Sequence, residues 1–147
     1  MSDESTSERP VGLTRDAGWE IGVSRTLPAS VRTMWDLLIS PTGLGIWLGR
    51  GLPSLPDVGA AYTTVDGTCG EVRSVRPLDR VRLTWQPPGR EQPATLQVAV
   101  VAAPSGCSVR FHAERLADSQ DRERMREHWH GVLDALATRV RSRQTSA

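Results

Sequence analysis

The sequence contains no lysine, and all 18 of its basic residues are arginine. Schiff-base catalysis and P-loop phosphate binding both require a lysine amine, so the absence of lysine excludes these two kinds of chemistry. The formal net charge is only +1, whereas proteins that bind nucleic acid usually carry a clear excess of positive charge. We therefore expect no nucleic-acid partner.

The sequence also lacks long apolar runs. The longest apolar run that it contains, Val98 to Ala103, is far too short to span a bilayer. The first ten residues are acidic and rich in serine, without the apolar segment of an export signal. We expect no stable membrane insertion and a cytoplasmic location, where Cys69 and Cys107 should stay reduced and serve as small packing residues.

Motifs for catalysis and metal binding are scarce. The sequence has no Gly-x-Ser-x-Gly motif, which would mark a hydrolase nucleophile, and no Cys, His and Asp cluster with metal-ligand spacing. His128 and His130 lie two positions apart on a predicted helix, so their side chains project about 200° apart and cannot bind one ion. The prediction is no metal, no cofactor and no assignable catalytic residue.

The composition is that of an ordinary globular domain, with 147 residues, 38% of them hydrophobic and 24% charged. A chain of this length can bury a core without a metal or disulfide. Residues 1–17 mix polar residues, proline and glycine without periodicity, which predicts a disordered or loosely attached tail. Residues 18–143 are predicted to form a single domain.

The first part of this domain is predicted to be a strand followed by two short helices. Apolar and polar residues alternate from Trp19 to Arg25, as in a half-buried strand. Ser30 can cap a helix, and Ser40 followed by Pro41 is a typical start for a second one. The apolar residues expected on the core side of these helices are Val31, Met34, Trp35, Leu37, Leu38, Leu44, Trp47 and Leu48.

The middle of the chain is predicted to be antiparallel strands. Asp66-Gly67 is a strong hairpin signal between two such runs. The predicted strands are residues 59–65, 68–75, 80–85, 94–103 and 107–114.

A long amphipathic helix is predicted at the end of the chain. Asp118 or Ser119 can cap it, and its apolar stripe consists of Met125, Trp129, Val132, Leu133, Leu136 and Val140. The order of elements predicts an α+β domain with helices gathered on one face of the sheet.

The order and spacing of these motifs resemble the START-like, or SRPBCC, superfamily, which has the helix-grip fold of the birch-pollen allergens. The branch that the chain resembles is the C-terminal domain of heat-shock-protein-90 ATPase activators. The resemblance covers roughly Trp19 to Val140. It is carried by the strand, proline and capped helix of residues 21–38, Trp47, Gly70-Glu71-Val72, the strand of residues 80–85, and His128-Trp129 leading into Leu133 and Leu136.

The resemblance implies a curved antiparallel sheet wrapped around a long C-terminal helix, with two short helices after the first strand. It also implies a cavity between sheet and helix for an apolar or amphipathic small molecule. Trp47 would lie at the cavity mouth as a gate, and Trp85 and Trp129 would face each other across it. The candidate ligand-binding residues are Trp47, Tyr62, Leu83, Trp85, Val98, Phe111, Met125, His128, Trp129 and Val132.

Three functional hypotheses follow. The leading one is a protein that binds an apolar or amphipathic small molecule in this cavity, with a role in stress or metabolism. The second is an enzyme of the cyclase or dehydratase type, with His128 or Glu71 as acid and base. The third is a chaperone-interacting module similar to the ATPase activators.

Overall fold

The computed structural model describes residues 13–14 and 18–146, with side chains described from residue 18 to residue 142. Leu13–Thr14 forms a two-residue strand, β1, within the segment predicted to be a tail. The rest of that tail lies outside the described residues, so its disorder stays a prediction, as does the domain boundary of 18–143.

Within the described residues, seven antiparallel strands form one sheet with the spatial order β1-β2-β7-β6-β5-β4-β3. The first long strand, β2, therefore pairs with the last strand, β7. The bounds are Leu13–Thr14 (β1), Gly18–Leu27 (β2), Ala61–Thr63 (β3), Cys69–Arg76 (β4), Arg80–Trp85 (β5), Ala94–Ala103 (β6) and Gly106–Leu116 (β7).

The two faces of the sheet differ in composition because side chains alternate along each strand. In β7, Cys107, Val109, Phe111 and Ala113 are buried against the helices. Ser108, Arg110, His112 and Glu114 alternate with them and define the outer face. Cys107 and Cys69 are both free thiols.

Two short helices follow β2, where their capping residues predicted them. Helix α1 is Val31–Ile39, and the Ser30 hydroxyl accepts a hydrogen bond from the Thr33 N–H at 3.1 Å. Helix α2 is Pro41–Trp47, and the Ser40 hydroxyl accepts one from the Gly43 N–H at 3.0 Å. A Cβ at Gly43 would lie 1.7 Å from the Leu37 carbonyl oxygen, so only glycine allows these helices to pack this closely.

The long terminal helix, α3, is Ser119–Ser146. Asp118 caps it, since its carboxylate accepts a hydrogen bond from the Asp121 N–H at 2.8 Å. The helix packs on β2, β7 and α2, and the buried part of its stripe is Trp129, Val132, Leu133, Leu136 and Val140. No helix in the described residues is long and apolar enough to cross a membrane. The predicted α+β helix-grip fold is confirmed.

The hairpin at Asp66-Gly67 is confirmed, but its first strand is shorter than predicted. The prediction was residues 59–65, whereas β3 covers only Ala61–Thr63. The Thr64 hydroxyl bonds to the Asp66 carboxylate at 2.9 Å and accepts from the Thr68 N–H at 3.1 Å. These local bonds favour a turn over a continued strand.

Replacing Ser30 with alanine is expected to lower the free energy of unfolding by about 1 kcal/mol, because α1 loses its N-terminal cap. Urea denaturation followed by circular dichroism measures this change. Ser54→Ala, at an exposed loop position, is the control and should stay within about 0.5 kcal/mol of the wild type. Equal effects of the two substitutions would show that the cap contributes nothing.

Candidate ligand-binding site

The structure brings most of the predicted ligand-binding residues together in the core. Trp47, Tyr62, Leu83, Trp85, Val98, Phe111, Trp129 and Val132 are all at most 6% exposed and belong to one hydrophobic cluster. The aromatic rings in this set pack against one another. The centroid of the Phe111 ring lies 4.9 Å from that of Trp129 and 6.2 Å from that of Trp47. Aromatic side chains therefore fill the space between these tryptophans, and their contact with a ligand stays a prediction.

Trp47 lies inside the core, with 2% of its surface exposed. Its indole N–H donates a hydrogen bond to the Leu38 carbonyl oxygen at 2.8 Å. This bond joins the end of α2 to α1. The Trp47 ring is thus held at the junction of the two short helices. In the described conformation Trp47 therefore has a structural role.

Tyr62 is buried as well, and its hydroxyl donates a hydrogen bond to the Thr84 carbonyl oxygen at 2.6 Å. Burial, with a smaller contribution from Cys69, raises the pKa of Tyr62 far above its ordinary value. The phenol therefore stays protonated and serves to join β3 to β5.

Trp129, on α3, is fully buried, yet its indole N–H has no hydrogen-bond acceptor among the described residues. The ring lies 5.2 Å from Trp85 and 4.5 Å from His128, measured between centroids. A buried donor without an acceptor costs about 1–3 kcal/mol. It is therefore an unusual feature for a core that serves packing alone.

His128 packs against Trp85 and Trp129, and the three rings form an aromatic group that reaches the surface at His128. Its side chain is exposed on one side, while its ring lies 5.7 Å from the ring of Trp85. Because these neighbours exclude water from part of the imidazole, burial lowers the pKa of His128. Burial therefore favours the neutral imidazole, which can donate one hydrogen bond and accept another.

An open cleft of about 750 Å³ lies beside this group, between the loop that connects β5 to β6 and the start of α3. We call it the loop cleft. It is lined by residues 87–93, residues 115–117, Asp121, Arg124 and Met125, and of the ten predicted site residues only Met125 is part of that lining. Arg115 has a left-handed backbone with φ 65°. Strained non-glycine residues of this kind occur frequently at functional sites.

A buried ion pair closes one side of the loop cleft. The Arg90 guanidinium donates to both oxygens of Asp121, in one case at 3.0 Å. Asp121 also accepts from the Ala117 N–H at 2.8 Å. The Arg90 guanidinium lies 6.0 Å above the Trp85 ring, and its Nε has no acceptor among the described residues. Sequence reasoning missed this pair because its members are 31 positions apart.

The two acid–base candidates occupy different surroundings. Glu71, on β4, has a carboxylate that is 41% exposed and lies 3.0 Å from Arg73. His128 lies on α3 against Trp85. Among the described contacts none joins Glu71 to His128, so the enzyme hypothesis gains no acid–base pair from the geometry.

A second polar group lies on the outer face of the sheet, where sequence reasoning had identified no metal site. Glu20, His112 and Glu114 each offer one ligand atom, and the three atoms lie within 4.8 Å of one another. Glu20 and His112 are 92 positions apart, so no short-range motif could reveal them. The only sequence signal is the polar alternation of β7.

The fold and the family comparison agree. The sheet with its long terminal helix has the SRPBCC, polyketide-cyclase-like fold. The sequence profile of the family described as activator of Hsp90 ATPase homolog 1-like protein matches residues 28–141. The chain therefore belongs to the activator of Hsp90 ATPase homolog 1-like family, as the resemblance predicted.

Several solved structures share the fold. Protein MLL2253 from Mesorhizobium loti is 20% identical with a TM-score of 0.68, and the match covers 84% of this chain and 97% of that one. CalU16 from Micromonospora echinospora is 16% identical with a TM-score of 0.70, covering 83% and 74%. DynU16, from the dynemicin biosynthetic locus, is 19% identical with a TM-score of 0.69, covering 81% and 46%. No curated protein matches the sequence.

Proposed function

We propose that this protein binds an amphipathic small molecule that carries an oxygen acceptor, with its polar end at Trp129 and its apolar part in the loop cleft. The observation that carries the proposal is the fully buried Trp129 N–H without an acceptor. A ligand carbonyl or carboxylate oxygen would satisfy this donor. The gain is large because an unpaired buried donor is costly.

The loop cleft has the composition of a small-molecule site. Its volume of about 750 Å³ falls within the range of roughly 300–1,000 Å³ that is common for such sites. Pro87, Pro88, Leu116 and Met125 offer apolar surface, and the cations in the lining are Arg90, Arg115 and Arg124. Binding sites usually combine mostly apolar walls with a few polar groups in this way.

Two sets of contacts connect the loop cleft to Trp129. Met125 and Trp129 are four residues apart on α3 and so share one face of the helix. Arg90 lines the cleft and lies over Trp85, whose ring contacts Trp129. A ligand that enters the cleft would therefore reach the Trp129 N–H by moving the loop that carries Arg90.

The proposal places the protein in the cytoplasm, where its two free thiols would remain reduced. The role would be metabolic or stress-related, as expected for a carrier or sensor of its ligand. Chaperone binding is the alternative suggested by the family, and no contact among the described residues favours it over the small-molecule site.

The test is a titration of intrinsic tryptophan fluorescence with three ligands of matched length: undecane, 2-undecanone and decanoate. Wild-type protein should bind the ketone or the carboxylate and bind undecane more weakly. Trp129→Phe should lose about threefold to tenfold in affinity for the oxygen-bearing ligand, because one hydrogen bond is removed. Its affinity for undecane should be unchanged.

Trp35→Phe is the matched control, since Trp35 is a buried tryptophan on α1. It should keep the wild-type preference for oxygen-bearing ligands. Absence of saturable binding by all three ligands, or a full preference retained in Trp129→Phe, would overturn the proposal.

A further inference from the structure

The outer face of the sheet carries an imidazole between two carboxylates. Glu20 lies on β2, and His112 and Glu114 lie on β7. His112 Nε2 is 3.0 Å from a Glu20 carboxylate oxygen, and His112 Nδ1 is 3.8 Å from a Glu114 oxygen. All three side chains are 20–34% exposed, so solvent and ions reach them.

A bulge between the two strands brings these residues together. Trp19 pairs with Leu116 and Ile21 pairs with Ala113, so Glu20 faces both Glu114 and Arg115. Two residues opposite one is the pattern of a β-bulge, which redirects side chains and is frequent beside functional sites. The Arg122 side chain donates a hydrogen bond to the Glu20 carbonyl oxygen at 2.8 Å and so ties the bulge to α3.

We propose that Glu20, His112 and Glu114 bind a divalent transition-metal ion. One imidazole nitrogen and two carboxylates form a ligand set that suits zinc, cobalt or manganese. Ligands at about 2.1 Å from an ion lie roughly 3 to 4 Å from one another. The three ligand atoms lie within 4.8 Å of one another. Because Glu20 lies at Nε2 of the imidazole and Glu114 at Nδ1, the His112 or Glu114 side chain must rotate before one ion contacts all three. The ion would take the place of the hydrogen bond between His112 and Glu20.

A further interaction fixes one ligand. Arg82 donates a hydrogen bond to one oxygen of Glu114 at 2.9 Å, while the other oxygen is the one that lies near His112. Groups that hold a metal ligand in this way commonly increase metal affinity. Glu114 can therefore remain bound to Arg82 while its second oxygen binds the ion.

An open cleft of about 400 Å³ adjoins His112 on the same face. We call it the outer cleft, and its lining includes His112, Gly22, Ser24, Gln97 and Arg110. Three protein ligands leave at least one coordination position on the ion. With this cleft beside His112, that position would accept water or an oxygen-bearing ligand, as in metal sites with exchangeable ligands.

The test is isothermal titration of the tag-free protein with Zn²⁺, together with visible absorption on addition of Co²⁺. Wild-type protein should bind one ion per chain. His112→Gln and Glu20→Gln should each weaken Zn²⁺ binding at least tenfold and remove the Co²⁺ absorption bands. His130→Gln, at an exposed position of α3, is the matched control and should bind as the wild type does.

Circular dichroism verifies that each variant is folded before titration. Wild-type protein without saturable Zn²⁺ binding would overturn the inference, and so would a folded His112→Gln variant with wild-type affinity. The inference is independent of the ligand proposed for the loop cleft, because Trp129→Phe should bind Zn²⁺ normally.

Discussion

Replacing Asp121 with asparagine is expected to lower the free energy of unfolding by about 3 kcal/mol at pH 7. The Asp121 carboxylate is only 3% exposed and is bonded to Arg90, which is itself largely buried. Asparagine keeps the shape and can still accept from the Ala117 N–H. It removes the charge, however, and leaves Arg90 as an uncompensated buried cation. Urea denaturation followed by circular dichroism measures the change.

Asp134→Asn is the control for this measurement. Asp134 also binds an arginine, Arg25, at 2.6 Å, but the two side chains are 74% and 40% exposed. Exposed ion pairs contribute about 0–1 kcal/mol. A loss in Asp121→Asn that is no larger than the loss in Asp134→Asn would show that burial of the pair does not matter.

The ion pair of Arg90 and Asp121 also predicts that the free energy of unfolding depends on pH in the acid range. Burial alone would raise the pKa of Asp121, but hydrogen bonds from Arg90 and Ala117, with the charges of Arg90 and Arg124, outweigh it and lower the pKa. The stabilisation is therefore fully present above the ordinary aspartate pKa of about 3.9 and is lost as the pH falls through the lower, folded value. The difference between wild type and Asp121→Asn should shrink only in that acid range.

Truncating Phe111 to alanine is expected to lower the free energy of unfolding by about 3–5 kcal/mol. Phe111 is 1% exposed and stacks on Trp129 at an interplanar angle of 14°. Its ring also contacts Trp47. Removing it leaves a cavity between the two tryptophans, because the surrounding sheet and helices can close only in part. Urea denaturation measures the loss.

Val101→Ala, on the neighbouring strand β6, is the control, since Val101 is 44% exposed. It should change the free energy of unfolding by no more than about 0.5 kcal/mol. The Phe111→Ala cavity is apolar and should bind benzene, which would raise the Tm of the variant and not that of the wild type. A loss below about 1 kcal/mol would mean that the core repacks around the missing ring.

The elements of the fold could be predicted because their signals are local. Ser30 and the Ser40-Pro41 pair mark the starts of α1 and α2, and the predicted strand of residues 94–103 matches the bounds of β6. The one clear error in length, in β3, arose where the Thr64 side chain forms local bonds that a pattern of apolar residues does not reveal.

The candidate site was predictable only in part. The apolar periodicity of sheet and helix, together with the family resemblance, led to Trp85, Phe111 and Trp129, which the structure does bring into contact. It could not distinguish rings that line a space from rings that fill it, because both are apolar and inward-facing. The Arg90 and Asp121 pair depends on tertiary contact between a loop and a helix, which leaves no periodic signal.

The pairing of the first and last long strands determines the order in which the nascent chain can fold. Leu27 on β2 pairs with Cys107 on β7, 80 positions later. At about 5–20 residues per second, the ribosome needs roughly 4–16 s to make the intervening segment. During that time β2, α1 and α2 have been synthesised without the strand that covers them. Their apolar surfaces therefore stay exposed during that interval, and the sheet can close between β2 and β7 only after β7 has been synthesised.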